Sequence, residues 1–233
     1  MRLAIISDIH ANLEALTAVL EDIRLQQADR IVCLGDIVGY GADPAACLAL
    51  VREHAGICVL GNHDAAVFAA HQRAYFNPFA LAAVRWTAEQ LSAEDVAFLR
   101  GLPYRISFEN MLFVHSAPRA PEEWDYVFSG MEARMQARHF FERLCFVGHS
   151  HIPGVYPLDS GVRDYTPVDR FLINVGSVGQ PRDREWHSAY GLLDTVAGSY
   201  EARRVAYDVE TAMRKIRDAG LPERLAERLR SGE

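Results

Sequence analysis

The stretch Leu3-Ala4-Ile5-Ile6-Ser7-Asp8-Ile9-His10 runs from an unbroken apolar segment straight into a carboxylate and an imidazole. Leu3–Ser7 reads as a strand. Leu13–Gln26 comes next as a helix, with Leu13, Leu16, Val19, Leu20 and Ile23 on one face. Ile31–Leu34 is a second strand; a Gly-rich turn then leads to a helix with Pro44 in its first turn. Ile57–Leu60 is a third. Strand-helix-strand-helix-strand in this order implies an α/β fold with a parallel sheet and crossover helices.

Outward from this core the pattern changes. Residues 65–100 are helical and rich in Ala and aromatics, broken at Asn77-Pro78, with Ser92 placed to cap the last helix. Strands return at Met111–Val114, Cys145–Val147, Phe171–Asn174, Ala189–Asp194 and Tyr200–Ala206, and a helical tail runs from about Glu210 to Arg230. No repeat or linker divides the sequence. The expectation is one domain over 1–233, with 65–100 as a helical cap.

The residues just after each strand carry the chemistry. Leu3–Ser7 runs into Asp8-Ile9-His10, Ile31–Leu34 into Gly35-Asp36, and Ile57–Leu60 into Gly61-Asn62-His63-Asp64. Leu112–Val114 runs into His115, and Cys145–Val147 into Gly148-His149-Ser150-His151. Taken singly, Gly35-Asp36 is an ordinary turn and His115 an ordinary strand-end histidine. In series they differ, because ligands of α/β sheets gather at the carboxyl ends of strands. Five of the nine histidines fall in these segments; His54, His71, His139 and His187 do not, and read as surface or core residues. Carboxylates and imidazoles without thiolate suit first-row divalent metals better than calcium.

Composition narrows the class. Lys and Arg total 24 against 31 acidic residues, a formal charge of −7. That argues against an extended nucleic-acid surface, while leaving a small phosphorylated substrate open, because a bound metal reverses the local field. No apolar run approaches a membrane span or a signal segment. Cys33, Cys47, Cys58 and Cys145 lack Cys-x-x-Cys spacing and read as buried thiols, so a cytoplasmic location is expected.

D-x-H, G-D, G-N-H-D, a strand-end His and G-H-x-H, in that order from Asp8 to His151, resemble the calcineurin-like metallophosphoesterases. The later Asn174-Val175-Gly176-Ser177-Val178-Gly179-Gln180-Pro181-Arg182 resembles a loop of their small prokaryotic, phosphodiesterase-type branch. The resemblance implies a two-sheet sandwich flanked by helices and a centre of two divalent ions, manganese foremost, with iron, cobalt, zinc or nickel as alternatives. It implies that Asp8, His10, Asp36 and His151 hold one ion, and that Asp36, Asn62, His115 and His149 hold the other. Water shared between ions ~3.5–4 Å apart would attack phosphorus. His63 would protonate the leaving oxygen, with Asp64 orienting its ring and raising its pKa.

The substrate is less sharply written. Phosphatases of this family commonly carry G-D-x-V-x-R-G, whereas Gly35-Asp36-Ile37-Val38-Gly39-Tyr40-Gly41 puts Tyr40 where that Arg stands. Tyrosine supplies neither the charge nor the bidentate fork that a dianionic phosphate favours. The reading is therefore a phosphodiesterase acting on a small or nucleotide-like substrate. A phosphomonoesterase (protein phosphatase or dinucleoside polyphosphatase) and a non-catalytic scaffold are the alternatives. Tyr40, Arg182 and Arg119 are the substrate-binding candidates. Trp124 and Tyr126 are either stacking groups or loop anchors, and Phe76, Phe79 and Trp86 read as packing. An apolar patch on 65–100 would allow a homo-oligomer.

Overall fold

Leu3 and Ile5 leave the first strand on one side, Ala4 and Ile6 on the other, and all four are fully buried. A strand apolar on both faces must be covered twice, and in the computed structural model, which describes residues 1–159 and 161–233, it is. Leu3 and Ile5 pack with Val32, Leu34 and Val59 against Phe113, Phe146 and Ile173 of a second sheet. Ala4 and Ile6 pack under helices, with Ala15, Leu16 and Val19. Each buried Leu, Ile, Val or Phe among them contributes roughly 1.5–3 kcal/mol by burial.

In chain order the first half comprises β1 (Arg2–Ile6), α1 (Leu13–Leu25), β2 (Arg30–Cys33), α2 (Pro44–His54), β3 (Ala55–Cys58), α3 (Asn62–Phe68), α4 (Pro78–Gln90) and α5 (Ala93–Gly101). The second half comprises β4 (Arg105–Phe108), β5 (Met111–Val114), α6 (Gly130–Gln136), β6 (Leu144–Val147), β7 (Gly154–Pro157), β8 (Phe171–Asn174), β9 (Ser188–Asp194), β10 (Ser199–Val205), α7 (Val209–Asp218) and α8 (Glu223–Ser231). One five-stranded sheet has the order β10-β9-β1-β2-β3, the other β4-β5-β6-β8-β7. The strands β1, β2 and β3 are parallel, as are β5, β6 and β8. The parallel strands of each sheet therefore deliver their carboxyl ends together. The two sets of ends meet at one edge of the sandwich, where Asp8 Oδ1, just past β1, lies 3.9 Å from His115 Nε2, just past β5.

The structure departs from the sequence reading in three places. β3 ends two residues early, since Leu60 donates its N–H to Pro103 rather than to the ladder. The edge strands β4 and β7 give no sequence signal, because both are only half-buried and lack a continuous apolar run. The tail is two helices, divided at Gly220-Leu221-Pro222, where Gly220 adopts φ +69°. Ser92 caps α5 as expected, accepting from the Asp95 N–H while the Asp95 carboxylate reaches back. Val67, Ala80, Ala83 and Leu99 of the 65–100 segment belong to the helix-side core. Among the described residues no helix is long and apolar enough to cross a membrane.

Candidate metal centre

Asp8, His10, Asp36, Tyr40, His149 and His151 all hold positive φ, between 50° and 64°. Such left-handed backbone is uncommon outside glycine and persists only where surrounding contacts over-determine it. Those contacts continue the strand pairing past the strands: Asp8 donates its N–H to Gly35, His10 to Asp36, and Ala11 to Ile37. The 174–182 loop closes the other side. Val178 and Gly179 donate to the carbonyls of Ser7 and Asp8, and the Ser177 hydroxyl also donates to Asp8. Asn174 holds the Gly148 carbonyl and the Ser150 hydroxyl. Gly148 has no space for a side chain, because a Cβ there would lie 2.4 Å from Asp8 Oδ2.

The ring orientations are set by the backbone. His10 Nδ1 lies 3.1 Å from the Val38 carbonyl, His115 Nδ1 2.8 Å from Leu34, His151 Nδ1 2.5 Å from Gln180, and His149 Nε2 2.9 Å from Trp124. A carbonyl only accepts, so each of these nitrogens carries the proton. The opposite nitrogens turn inward: His10 and His151 Nε2 stand 3.1 Å apart, and His115 Nε2 and His149 Nδ1 3.2 Å apart. Asp8 Oδ2 is held by the His149 N–H and Asp36 Oδ1 by the His63 N–H. The remaining oxygens face the imidazoles: Asp8 Oδ1 lies 3.2 Å from His151 Nε2, and Asp36 Oδ2 lies 3.4 Å from His115 Nε2. Asp8 Oδ1 is buried with no hydrogen-bond partner.

This donor set fits metal. Asp8, His10 and His151 offer ligand atoms within 4.8 Å of one another; Asp36, His115 and His149 do the same, with Asn62 Oδ1 3.2 Å from His115 Nε2. Charge distribution agrees. Burial lowers every imidazole here except His115, holding His149 at about 3 and His10 well below its ordinary value. At His115 burial is outweighed by Asp36, with Asp8 adding, and the pKa is pushed up to about 10. The two carboxylates thus demand positive charge at the centre.

The Asp64 carboxylate turns away from the His63 ring. The Asp64 carboxylate accepts from the backbone N–H groups of Ile37, Val38 and Gly61, so it ties the β2 and β3 loops together and does not orient the His63 ring. The third residue of a helix reaches back to its N-terminus more readily than forward to a neighbour's ring. Burial, with Asp36 adding, pushes Asp64 up to about 7. The His63 ring instead lies 4.4 Å from Tyr40, 4.8 Å from His10 and 4.6 Å from Phe76. Burial lowers its pKa to about 4, opposite to the expected rise.

The substrate candidates divide. Tyr40 is buried 4.6 Å from the His10 ring. Arg182 joins it, donating to the Tyr40 hydroxyl at 3.4 Å and to Gln180 Oε1 at 3.0 Å. Arg119 is more than half exposed and paired with Asp125 at 2.7 Å, apart from the centre. A cavity of about 460 Å³ opens beside His63 and His149, walled by Tyr40, Phe76, Trp124 and Tyr126, with Glu122 and Glu123 on its lining. Tyr126 stacks on His149 at 3.9 Å. Phe76 and His71, read from sequence as packing and as surface or core, both line this cavity.

Comparison with known proteins gives the family. Residues 1–198 match the calcineurin-like phosphoesterase superfamily domain. The chain is 41% identical over 237 residues to the uncharacterised protein MJ0912 of Methanocaldococcus jannaschii, covering 97% of this chain and 96% of that one. The crystal structure of a metallophosphoesterase from Sphaerobacter thermophilus superposes with a TM-score of 0.88 at 39% identity, covering 100% and 99% of the two chains. The hypothetical protein PH1004 of Pyrococcus horikoshii shares the fold, with a TM-score of 0.84 at 20% identity and coverage of 100% and 98%. The chain therefore belongs to the calcineurin-like phosphoesterase superfamily, metal-dependent hydrolases of phosphoester bonds.

Proposed function

We propose that this protein is a phosphodiesterase acting on a small, nucleotide-like diester at a centre of two divalent ions, manganese foremost. The convergence of inward-facing imidazole nitrogens with Asp8 and Asp36 carries the reading. Asp8, His10, Asp36 and His151 would hold one ion; Asp36, Asn62, His115 and His149 the other. Bound there, the ions supply Lewis acidity toward water and the phosphoryl group.

The remaining work falls to the chain. The carbonyls of Leu34, Val38, Trp124 and Gln180 keep the four rings in one tautomer. Asp64 is a positioning residue for the loops that follow β2 and β3. His63, facing the cavity beside the centre, gives a proton to the leaving oxygen. Burial keeps its free ring neutral, so its protonation is coupled to arrival of the phosphoryl anion. The aromatic walls hold a flat leaving group, and Phe76 makes the 65–100 segment a cap over the single domain.

Tyr40 and the cavity carboxylates Glu122 and Glu123 favour the singly charged diester over a dianionic monoester. Turnover of bis-aryl and mono-aryl phosphates by chelator-stripped protein with Mn²⁺ restored, alongside Asp36→Ala, tests this. Metal-dependent diester turnover lost in the variant is expected. A clear monoester preference would overturn the substrate reading, and silence on both esters the enzymatic one.

A further inference from the structure

Tyr40 is flanked by two guanidinium groups. Arg182 Cζ and Arg228 Cζ each lie 5.8 Å from the centroid of its ring. Arg182 comes from the loop that closes the metal centre, and Arg228 from α8, beyond the residues that match the family domain. The two are held in fixed relation, because Arg184 donates its N–H to the Gly232 carbonyl at 2.9 Å. Leu225, Ala226 and Leu229 bury the inner face of the same helix.

Both cations are half-buried, and neither has a side-chain carboxylate within ion-pair distance among the described residues. Arg182 spends Nη2 on Gln180 and Tyr40, and its buried Nε has no hydrogen-bond partner. Arg228 donates Nε at 2.6 Å to a main-chain oxygen of Glu233, the last residue of the sequence. Burial and the neighbouring Arg182 both depress the Arg228 pKa. Two like charges within 5.8 Å of one ring repel each other, and an anion reaching both relieves that repulsion.

We infer that Arg182 and Arg228, set around Tyr40, form an anion site beside the metal centre that takes a second phosphate carried by the substrate. This rests on the phosphodiester reading and narrows it. The flat, uncharged part of the substrate occupies the aromatic cavity, where Glu122 and Glu123 repel further anions. The pendant phosphate lies on the arginine side. The C-terminal helix pair is then part of the binding site.

Two measurements on the full chain decide it. Inorganic phosphate is titrated calorimetrically into chelator-stripped protein, where the metal centre no longer competes. Arg228→Gln and Arg182→Gln are each expected to weaken binding about tenfold or more, with Arg228→Lys partly restoring it. Arg230→Gln, on the exposed face of α8, serves as the control and should match wild type. Equal affinity in wild type and Arg228→Gln, with circular dichroism showing both folded, or no binding by wild type, would overturn the site. Separately, the Mn²⁺-loaded enzyme should prefer 5′-phosphorylated thymidylyl-thymidine over the same dinucleotide without that phosphate, and Arg228→Gln should erase the preference. A wild-type ratio of one or less would overturn the pendant-phosphate assignment. Turnover of neither dinucleotide would count against the nucleotide-like diester reading, with the phosphate titration still deciding the anion site.

Discussion

His10 and His151 face each other with Nε2 atoms 3.1 Å apart, each having committed its other nitrogen to a main-chain carbonyl. Two lone pairs at that distance repel unless a cation lies between them. Metal should therefore stabilise the fold as well as the reaction. Saturating Mn²⁺ is expected to raise the melting temperature by about 5–10 °C over chelated protein. Scanning calorimetry checks this, and His151→Ala should abolish most of the rise.

His63 is bonded to Asp36 through its backbone N–H, and its ring also stands within metal-ligand reach of His10 and Asp36. His63→Ala should lose roughly 10²–10⁴-fold in kcat while retaining metal. Turnover measured together with metal content decides it. An emptied centre would make the ring a ligand rather than the proton donor.

Gly39 lies against that ring. It holds φ +88°, and a Cβ there would sit 2.4 Å from His63 Nδ1. Gly39→Ala is expected to cost about 1–3 kcal/mol of stability and to lower kcat on the order of 10²-fold by displacing the imidazole. Urea unfolding and steady-state kinetics measure the two effects. Wild-type kinetics in a destabilised variant would mean that ring placement is not limiting.

Far from the centre, Arg203 bonds Asp22 at 2.8 Å, and Tyr190 donates its hydroxyl to the same carboxylate. The Arg203 hydrogen bond, with Tyr190 adding, holds Asp22 below the usual carboxylate range. The depressed folded pKa makes its contribution fully present above the unfolded value of about 3.9, and lost as pH falls through the folded one. Since the pair is about one-fifth exposed, Asp22→Asn should cost about 1–2 kcal/mol near neutral pH. The gap should narrow below about pH 4. Urea unfolding across that range tests it, and a gap independent of pH would remove the ion pair as its cause.

Much of the fold is legible in the sequence because strands such as Leu3–Ser7 and Met111–Val114 are buried on both faces, and a doubly covered strand must be apolar throughout. The proposed ligands are legible because each directly succeeds such a run. The β4 and β7 strands are not, being half-exposed edges. Asp64 misleads because adjacency to His63 suggests a side-chain pair, whereas its helix-start position turns the carboxylate to the backbone. Arg228 leaves no signal at all. Only the docking of α8 against the 182–187 segment brings it to Tyr40.

The carbonyl acceptors at positions 34, 38, 124 and 180 have a consequence for how this protein tolerates change. A carbonyl belongs to every amino acid, so substituting any of these side chains leaves the acceptor in place. Mutational scanning would score Leu34 and Val38 by packing, and Trp124 and Gln180 by their side chains' own contacts, and at all four would miss that the carbonyls orient the imidazoles. The instruction is carried by the path of the main chain, and insertions or deletions in those loops should displace the acceptors where substitutions leave them in place.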